Sequence, residues 1–284
     1  AMVAKMNMIM HGDGHAGIVN TNGYLTEKDV PDWWLRELAP GMLDIIYSNP
    51  PFAGREKDED VLRKFDLGKD KGGHTRSVSK EVLFINLVID LLKVGGYAGL
   101  VLPAGVFNNP SMEYVRGYIK THVKIVAIVG IPHLTFQVTG ANNEGHLLFI
   151  QKVEKIPDDY PIFIDWATNV GIDAIGHKIE QNDLLAIVER FHSSPRPRRN
   201  IIMFSELNDR IDPWYYHPNY DKLERALRKK GHPWIPLKDI FTLSNHLFDR
   251  TKCGNVLLRY VEKGNVDAEA GIILSSSEYT PESI

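Results

Sequence analysis

Short, continuously apolar runs alternate with longer helix-like segments in the first half of the chain. Continuous apolar runs are typical of strands buried inside a parallel sheet, where both faces are covered. Strands that alternate with helices predict a parallel or mixed α/β sheet. The predicted strands are residues 43–48, 97–102, 123–129 and 146–151, and the predicted helices are residues 82–92 and 112–122.

Polar and turn-rich segments interrupt this pattern. Residues 54–79 are charged and rich in Gly and Lys, and they predict a long surface loop. The composition changes near residue 153, and residues 156–161 are rich in turn-forming residues. Residues 179–191 follow with the spacing of an amphipathic helix. We expect a domain boundary near residue 155.

The bulk composition excludes several classes of protein. The 284 residues are 43% hydrophobic and 24% charged, which is ordinary for a globular chain with a sizeable core. A net charge of −3 provides no global attraction to nucleic acid. Cys253 is the single cysteine, so an internal disulfide is excluded and a reducing cytoplasm is favoured. No apolar run is long enough to span a membrane.

The tetrapeptide Asn49-Pro50-Pro51-Phe52 directly follows the predicted strand 43–48. The Asn49 side-chain oxygen and the Pro50 carbonyl can each accept a hydrogen bond from an exocyclic amine. The prolines fix φ and remove competing N–H donors, and the Phe52 ring can stack on a planar base. Because both amine hydrogens are held, the nitrogen lone pair points toward an electrophilic methyl group. This chemistry suits adenine N6, cytosine N4, guanine N2 in RNA, or a glutamine side chain.

Further motifs stand in a fixed order around the tetrapeptide. They are Ala4–Gly14, Asn22-Gly23-Tyr24-Leu25, Glu81-Val82-Leu83-Phe84-Ile85, Gly95–Pro103 and Phe136-Gln137-Val138-Thr139-Gly140, followed by Leu147–Lys152. This ordered set resembles the N6-adenine DNA methyltransferases of type I restriction–modification systems, the modification-subunit family. The resemblance covers residues 1 to about 153.

The resemblance implies a Rossmann-like class I methyltransferase sheet followed by a smaller α+β segment. It also implies a site-specific, adenine-specific DNA methyltransferase of a prokaryotic cytoplasm, with S-adenosyl-L-methionine as methyl donor. The implied partners are double-stranded DNA, a specificity subunit and a restriction subunit, with no membrane. In the family pattern, Asn49 to Phe52 is the catalytic tetrapeptide, and Phe136 is a second aromatic residue that stacks on the flipped base.

Two departures from the family matter. The Gly-rich turn that cradles the cofactor in the family is absent from this sequence, as are the strands around it. We therefore expect a fragment that lacks the N-terminal strands of the sheet and much of the cofactor site. Asn22 stands where the family usually has Asp, and it is the predicted cofactor contact, through an amide instead of a carboxylate.

Residues 207–220, with 237–240 and 258–261, resemble the opening of a target-recognition domain in restriction specificity subunits. The predicted domains are a partial catalytic core (1–155), a helical connector (156–204) and the start of a recognition-like domain (205–284). The basic residues predicted to contact the DNA backbone are Arg196, Arg198, Arg199, Arg228, Lys229 and Lys230.

Alternative interpretations remain. A solvated charged surface explains the basic residues equally well, and an ordinary core position explains Phe136. A metal site at His11, Asp13 and His15 is not predicted, because a sulfonium methyl donor needs no metal. The chain could also be a DNA-binding or partner-binding module that is inactive without the missing cofactor segment.

Overall fold

A computed structural model gives the architecture of the chain. It describes residues 2–12, 18–20, 23–24, 32, 36, 38–133, 135–136, 144–173, 175–229, 235, 237–240, 242, 258–261, 265–267, 272–273 and 275–279. The chain divides into two compact units, Ala1–Ala226 and Leu227–Ile284. Within the described residues, no helix is both long enough and apolar enough to cross a membrane.

The helices and strands are numbered in chain order. The helices are α1 (Met2–Met10), α2 (Glu59–Leu62), α3 (Lys80–Leu91), α4 (Ala104–Asn108), α5 (Glu113–His122), α6 (Leu184–His192), α7 (Pro218–Lys229) and α8 (Leu237–Ile240). The strands of the first unit are β1 (Leu43–Ser48), β2 (Arg55–Glu56), β3 (Val78–Ser79), β4 (Leu92–Pro103), β5 (Lys124–Gly130), β6 (Gly145–Gln151), β7 (Pro161–Trp166), β8 (Val170–Ile172), β9 (Lys178–Asn182) and β10 (Ile201–Met203). Those of the second unit are β11 (Leu258–Tyr260), β12 (Val266–Asp267), β13 (Ile272–Ile273) and β14 (Ser277–Tyr279).

A mixed sheet of the first unit contains six described strands in the order β1-β4-β6-β5-β7-β10. β1 pairs parallel with β4, and β5 pairs parallel with β7. β6 is antiparallel to both β4 and β5, and β10 is antiparallel to β7. The strands β1, β4, β5 and β7 therefore run the same way, and their last residues lie along one edge, called here the carboxyl edge. The predicted mixed α/β sheet is confirmed.

One face of the sheet packs against helices. Leu100 and Leu148, opposite each other on β4 and β6, pack in the same buried cluster as residues of α3, α4 and α5. α3 alone contributes Val82, Leu83 and Ile85 with no exposed surface. Burial of each such side chain stabilises the fold by roughly 1.5–3 kcal/mol. This face therefore provides the main core.

The opposite face is covered at one end by α6, whose Ile187 packs in a second cluster with Val129 and Phe163. At the other end lies β1, an outer strand of the sheet among the described residues. The side chains of Ile45 and Tyr47 on β1 are 63% and 80% exposed. Parallel strands are ordinarily covered on both faces, so this end of the sheet is open among the residues that the structure describes.

The prediction that residues 54–79 form a long surface loop is wrong. The segment contains β2, α2 and β3, and its buried side chains are Val61, Leu62, Phe65, Leu67 and Val78. The buried Asn86 of α3 accepts a hydrogen bond from the Leu67 backbone N–H at 3.0 Å. Charged residues between the apolar ones hid this pattern in the sequence.

Residues 156–204 also contain more strand than expected. β7 and β10 belong to the main sheet, and β8 pairs with β9 in a separate antiparallel ribbon. The helix predicted over 179–191 begins later, at Leu184, because β9 occupies residues 178–182. The segment is thus part of the sheet rather than a helical connector, and the compact unit continues to residue 226.

The second unit holds two short antiparallel pairs, β11 with β14 and β12 with β13. The recognition-like assignment of residues 205–284 remains a prediction.

Candidate active site

The tetrapeptide lies at the carboxyl edge, immediately after β1. Asn49 is exposed, whereas the next residue, Pro50, is buried. The Asn49 amide makes no hydrogen bond to any described residue, so its oxygen is available to accept one from a ligand. The buried Pro50 fixes φ at this position and anchors the amide on the sheet. The structure therefore places the Asn49 acceptor directly after β1, at the carboxyl edge.

Two aromatic rings meet beside the tetrapeptide. The ring centroids of Phe52 and Phe136 are 5.5 Å apart, with an interplanar angle of 74°. Both rings pack on Gly145, the buried first residue of β6. A Cβ atom added at Gly145 would lie 2.8 Å from Phe136 Cε2 and 3.4 Å from Phe52 Cε2. The absence of a side chain at Gly145 is therefore what lets the two rings approach each other.

The chain after the tetrapeptide is tied to the start of α3. The Lys80 backbone N–H donates to the Gly54 carbonyl at 3.2 Å, and β2 pairs with β3 just before that helix. Gly54 has φ of +92°, a left-handed conformation that favours glycine. Arg55 reinforces the link because its guanidinium donates to the Ser77 hydroxyl at 3.2 Å. These contacts fix the direction in which Phe52 leaves the sheet.

A buried ionisable group lies at the same end of α3. Glu81 is 5% exposed, and burial raises the pKa of its carboxyl above the ordinary value. Tyr24 is also 5% exposed and packs between Phe65 and Phe84. Burial, and secondarily the charges of Glu56 and Glu81, raise the Tyr24 pKa to about 12. Tyr24 thus packs against Phe84 of α3. Asn22, the predicted cofactor contact, lies outside the described residues.

Behind Gly145, a buried histidine faces a buried carboxylate. His146 Nε2 lies 3.7 Å from Asp212 Oδ1, and the two side chains are 1% and 8% exposed. Burial lowers the His146 pKa to about 4, although the Asp212 charge opposes that shift. Asp212 also accepts from Arg210 at 3.0 Å and from the Trp214 backbone N–H at 3.0 Å. The pair therefore links β6, at the residue after Gly145, to the segment around Asp212.

Arg116 fastens the same segment from the other side. This buried guanidinium donates to the carbonyls of Asp209, Val106 and Asn109. The sequence analysis did not select Arg116, His146, Asp212 or Gly145. A buried cation needs several acceptors, and three backbone carbonyls supply them to Arg116.

The predicted basic residues have different environments. Arg196 donates to the Phe191 carbonyl and stacks over the Phe191 ring at 4.3 Å, so it stabilises the end of α6. Arg198 and Arg199 are exposed in a short 3-10 turn after Pro197. In the second unit, Arg228 and Lys229 are exposed in the last turn of α7, and Lys230 lies outside the described residues. A DNA-backbone role for these residues remains a prediction.

Solved structures of type I restriction–modification proteins are similar in fold to this chain. No curated protein sequence matches the chain. Among solved structures, a chain of a type I R-M system is 17% identical with a TM-score of 0.53, over 72% of this chain and 41% of that chain. The methyltransferase subunit of a type I restriction-modification system from Streptococcus thermophilus is 16% identical with a TM-score of 0.52, over 71% and 41%. At this identity the likeness shows the fold, and the present chain spans less than half of each solved chain.

The family model described as N-6 DNA Methylase matches residues 1–211, which include the whole main sheet and the tetrapeptide. The chain belongs to the N-6 DNA methylase family.

Proposed function

We propose that this chain is the amine-holding part of a DNA methyltransferase that modifies adenine at N6 within a restriction–modification system. The observation that carries the proposal is the unpartnered, exposed Asn49 amide ahead of buried Pro50, beside the Phe52–Phe136 contact. Membership of the N-6 DNA methylase family supports it. The specificity and restriction subunits implied by the resemblance are proposed partners.

The chemistry follows from acceptor geometry. The Asn49 oxygen and the Pro50 carbonyl accept the two hydrogens of the adenine amine, which leaves the nitrogen lone pair directed out of the ring plane. Phe52 and Phe136 contact the base once it has left the duplex. Positioning of this kind supplies most of the rate enhancement that these residues provide.

The methyl donor that we propose is S-adenosyl-L-methionine, which supplies an electrophilic methyl group. The described residues do not form its site by themselves, because the sequence has no Gly-rich turn and the β1 end of the sheet is open. The predicted contact through Asn22 is part of this proposal. We infer that further polypeptide beside β1 completes the cofactor site.

The test compares Asn49→Ala with Asn208→Ala in the native protein. Asn208 is an exposed asparagine whose side chain has no partner among the described residues, so it is the matched control. Transfer of labelled methyl groups to duplex DNA should fall at least about a hundredfold for Asn49→Ala only. Undiminished transfer by Asn49→Ala, with the fold intact by circular dichroism, would refute the assigned role.

The methylated base distinguishes the related amine substrates. Mass spectrometry of digested DNA should show N6-methyladenine after incubation with the native protein. N4-methylcytosine in the digest would identify cytosine as the substrate, and labelled RNA or protein would identify one of those instead. In each case the tetrapeptide would still hold the reacting amine.

The open β1 end also favours a second candidate, a binding module that is inactive until another polypeptide supplies the cofactor site. Calorimetric titration of residues 1–284 with S-adenosyl-L-methionine separates the two. We expect weak binding or none from this chain, whereas micromolar binding would exclude the inactive-module interpretation.

A further inference from the structure

A groove of about 850 Å³ lies apart from the tetrapeptide, where β7 and β10 meet the segment 210–220. We call it the arginine–aromatic groove. Its charged and aromatic lining residues are Arg198, Arg199, Glu206, Arg210, Asp212, Trp214, Tyr215, Tyr216, His217 and Tyr220. All of them belong to the first unit.

Hydrogen bonds to backbone carbonyls hold the walls of the groove. Trp166, the last residue of β7, donates from Nε1 to the Pro213 carbonyl at 2.6 Å. The buried Asn200 donates to the Ile164 carbonyl at 2.9 Å, which holds the turn that carries the two arginines against β7. Tyr216 donates to the Arg210 carbonyl at 2.8 Å. The groove is therefore formed before any ligand binds, as binding sites commonly are.

Two cations of the groove have no partner in the part of the chain that the structure describes. Arg198 and Arg199 are exposed and make no hydrogen bond or ion pair with any described residue. The groove's carboxylates are already engaged, because Asp212 pairs with Arg210 and Glu206 accepts from the Met203 backbone N–H at 2.9 Å. Two adjacent guanidinium groups without an internal acceptor match the geometry of an external phosphate.

Hydroxyl donors also line the groove. Tyr215 and Tyr220 are 47% and 60% exposed, and neither hydroxyl has a partner among the described residues. Arg210 lies over the Tyr215 ring at 5.2 Å, which orients that ring toward the cavity. Arginine and tyrosine side chains are the usual donors to the phosphate and sugar oxygens of DNA.

The groove and the tetrapeptide lie on the same edge of the sheet. Trp214 sits against Gly130, where a Cβ atom would lie 3.1 Å from its Nε1, and Gly130 is the last residue of β5. Four strand spacings of about 4.8 Å separate β7 from β1, or roughly 19 Å. A DNA strand rises about 3.4 Å per nucleotide, so this span corresponds to roughly five or six nucleotides.

We propose that the arginine–aromatic groove binds the sugar–phosphate backbone of the DNA beside the target base, with Arg198 and Arg199 on phosphates and the hydroxyls of Tyr215 and Tyr220 on neighbouring oxygens. This inference rests on the proposed function and identifies where its substrate is held. The contacts carry no sequence information, so the groove positions DNA and does not select a sequence.

The test measures binding of the chain to a fluorescent duplex by anisotropy over a series of salt concentrations. Each lost phosphate contact makes the slope of log K against log salt shallower by about 0.9. Arg198→Gln/Arg199→Gln should therefore change the slope by about 2 and weaken binding roughly tenfold at low salt. Tyr215→Phe should weaken binding without changing the slope, because it removes an uncharged donor.

A matched control removes two positive charges elsewhere. Lys93 is the second residue of β4 and Lys155 follows β6, so both lie at the end of the sheet opposite the carboxyl edge. Lys93→Gln/Lys155→Gln should leave the salt slope within about 0.5 of wild type, since neither contacts DNA in this arrangement. A slope of the Arg198/Arg199 variant equal to that of the control would overturn the proposal.

Two further outcomes separate this inference from the proposed function. Asn49→Ala should retain the wild-type salt slope even where it abolishes methyl transfer. If the native protein methylates nothing, the slope difference between the two double variants still tests the groove. Tighter binding to an RNA duplex, with the same arginine dependence, would assign the groove to RNA and overturn the DNA assignment.

Discussion

The His146–Asp212 pair predicts a specific loss of stability in mild acid. Burial holds the folded-state pKa of His146 near 4, below the ordinary value of 6.5. Between these values the unfolded chain binds a proton that the folded chain does not, so stability is full above 6.5 and is lost as the pH falls toward 4. Lowering the pH from 7.5 to 5 should cost about 2 kcal/mol of unfolding free energy through this residue.

Urea unfolding followed by tryptophan fluorescence at both pH values measures this cost. His146→Leu removes the titrating group at similar volume. Its unfolding free energy should therefore fall by about 2 kcal/mol less than that of wild type between pH 7.5 and pH 5. His74→Gln, at a histidine whose side chain is 84% exposed, is the control and should unfold with the wild-type pH dependence. If His146→Leu keeps the full acid sensitivity of wild type, His146 is not the buried neutral group that the structure indicates.

Three further predictions concern the same region. Gly145→Ala should force the Phe136 ring, 2.8 Å from the new Cβ, out of place; it should lower methyl transfer in the native protein while costing roughly 1–3 kcal/mol in thermal unfolding. Glu81→Gln should raise the melting temperature at pH 7 and flatten its fall with rising pH, because the raised folded-state pKa means that stability is lost as the carboxyl ionises. Arg116→Met should cost about 3 kcal/mol in urea unfolding, since it leaves the Asp209 carbonyl and two others without their donor.

The strands of the sheet were predictable because each carries a strong periodic signal. β1 was predicted at its observed bounds, and β5 and β6 within one residue at either end. β7 was missed even though Ile162, Phe163 and Ile164 form an apolar run, because the change in composition near residue 153 was taken as a domain boundary. The composition of a segment does not reveal which strand it pairs with, because strands of one sheet can be distant in sequence.

The site was predictable only where one short segment carries all of its chemistry. Asn49 to Phe52 is such a segment, since strand, acceptors and ring are contiguous in sequence. The Phe52–Phe136–Gly145 contact joins three separate segments, and the sequence offered Phe136 only through the family resemblance. Gly145 has no sequence signal of its own. It matters because its missing side chain leaves room for two rings that are distant in sequence.

One continuous series of contacts connects the tetrapeptide to the rest of the carboxyl edge. The aromatic contact ends on Gly145, and the next residue, His146, faces Asp212, which begins the turn that carries Trp214 and Tyr215. A perturbation of Asp212 therefore acts on the wall of the arginine–aromatic groove and on the strand beneath the two phenylalanines together. Asp212→Asn keeps the shape but removes the charge that Arg210 and His146 face, so it should weaken DNA binding and disturb base positioning in parallel. Independent effects would mean that the two sites are only neighbours on one rigid sheet edge.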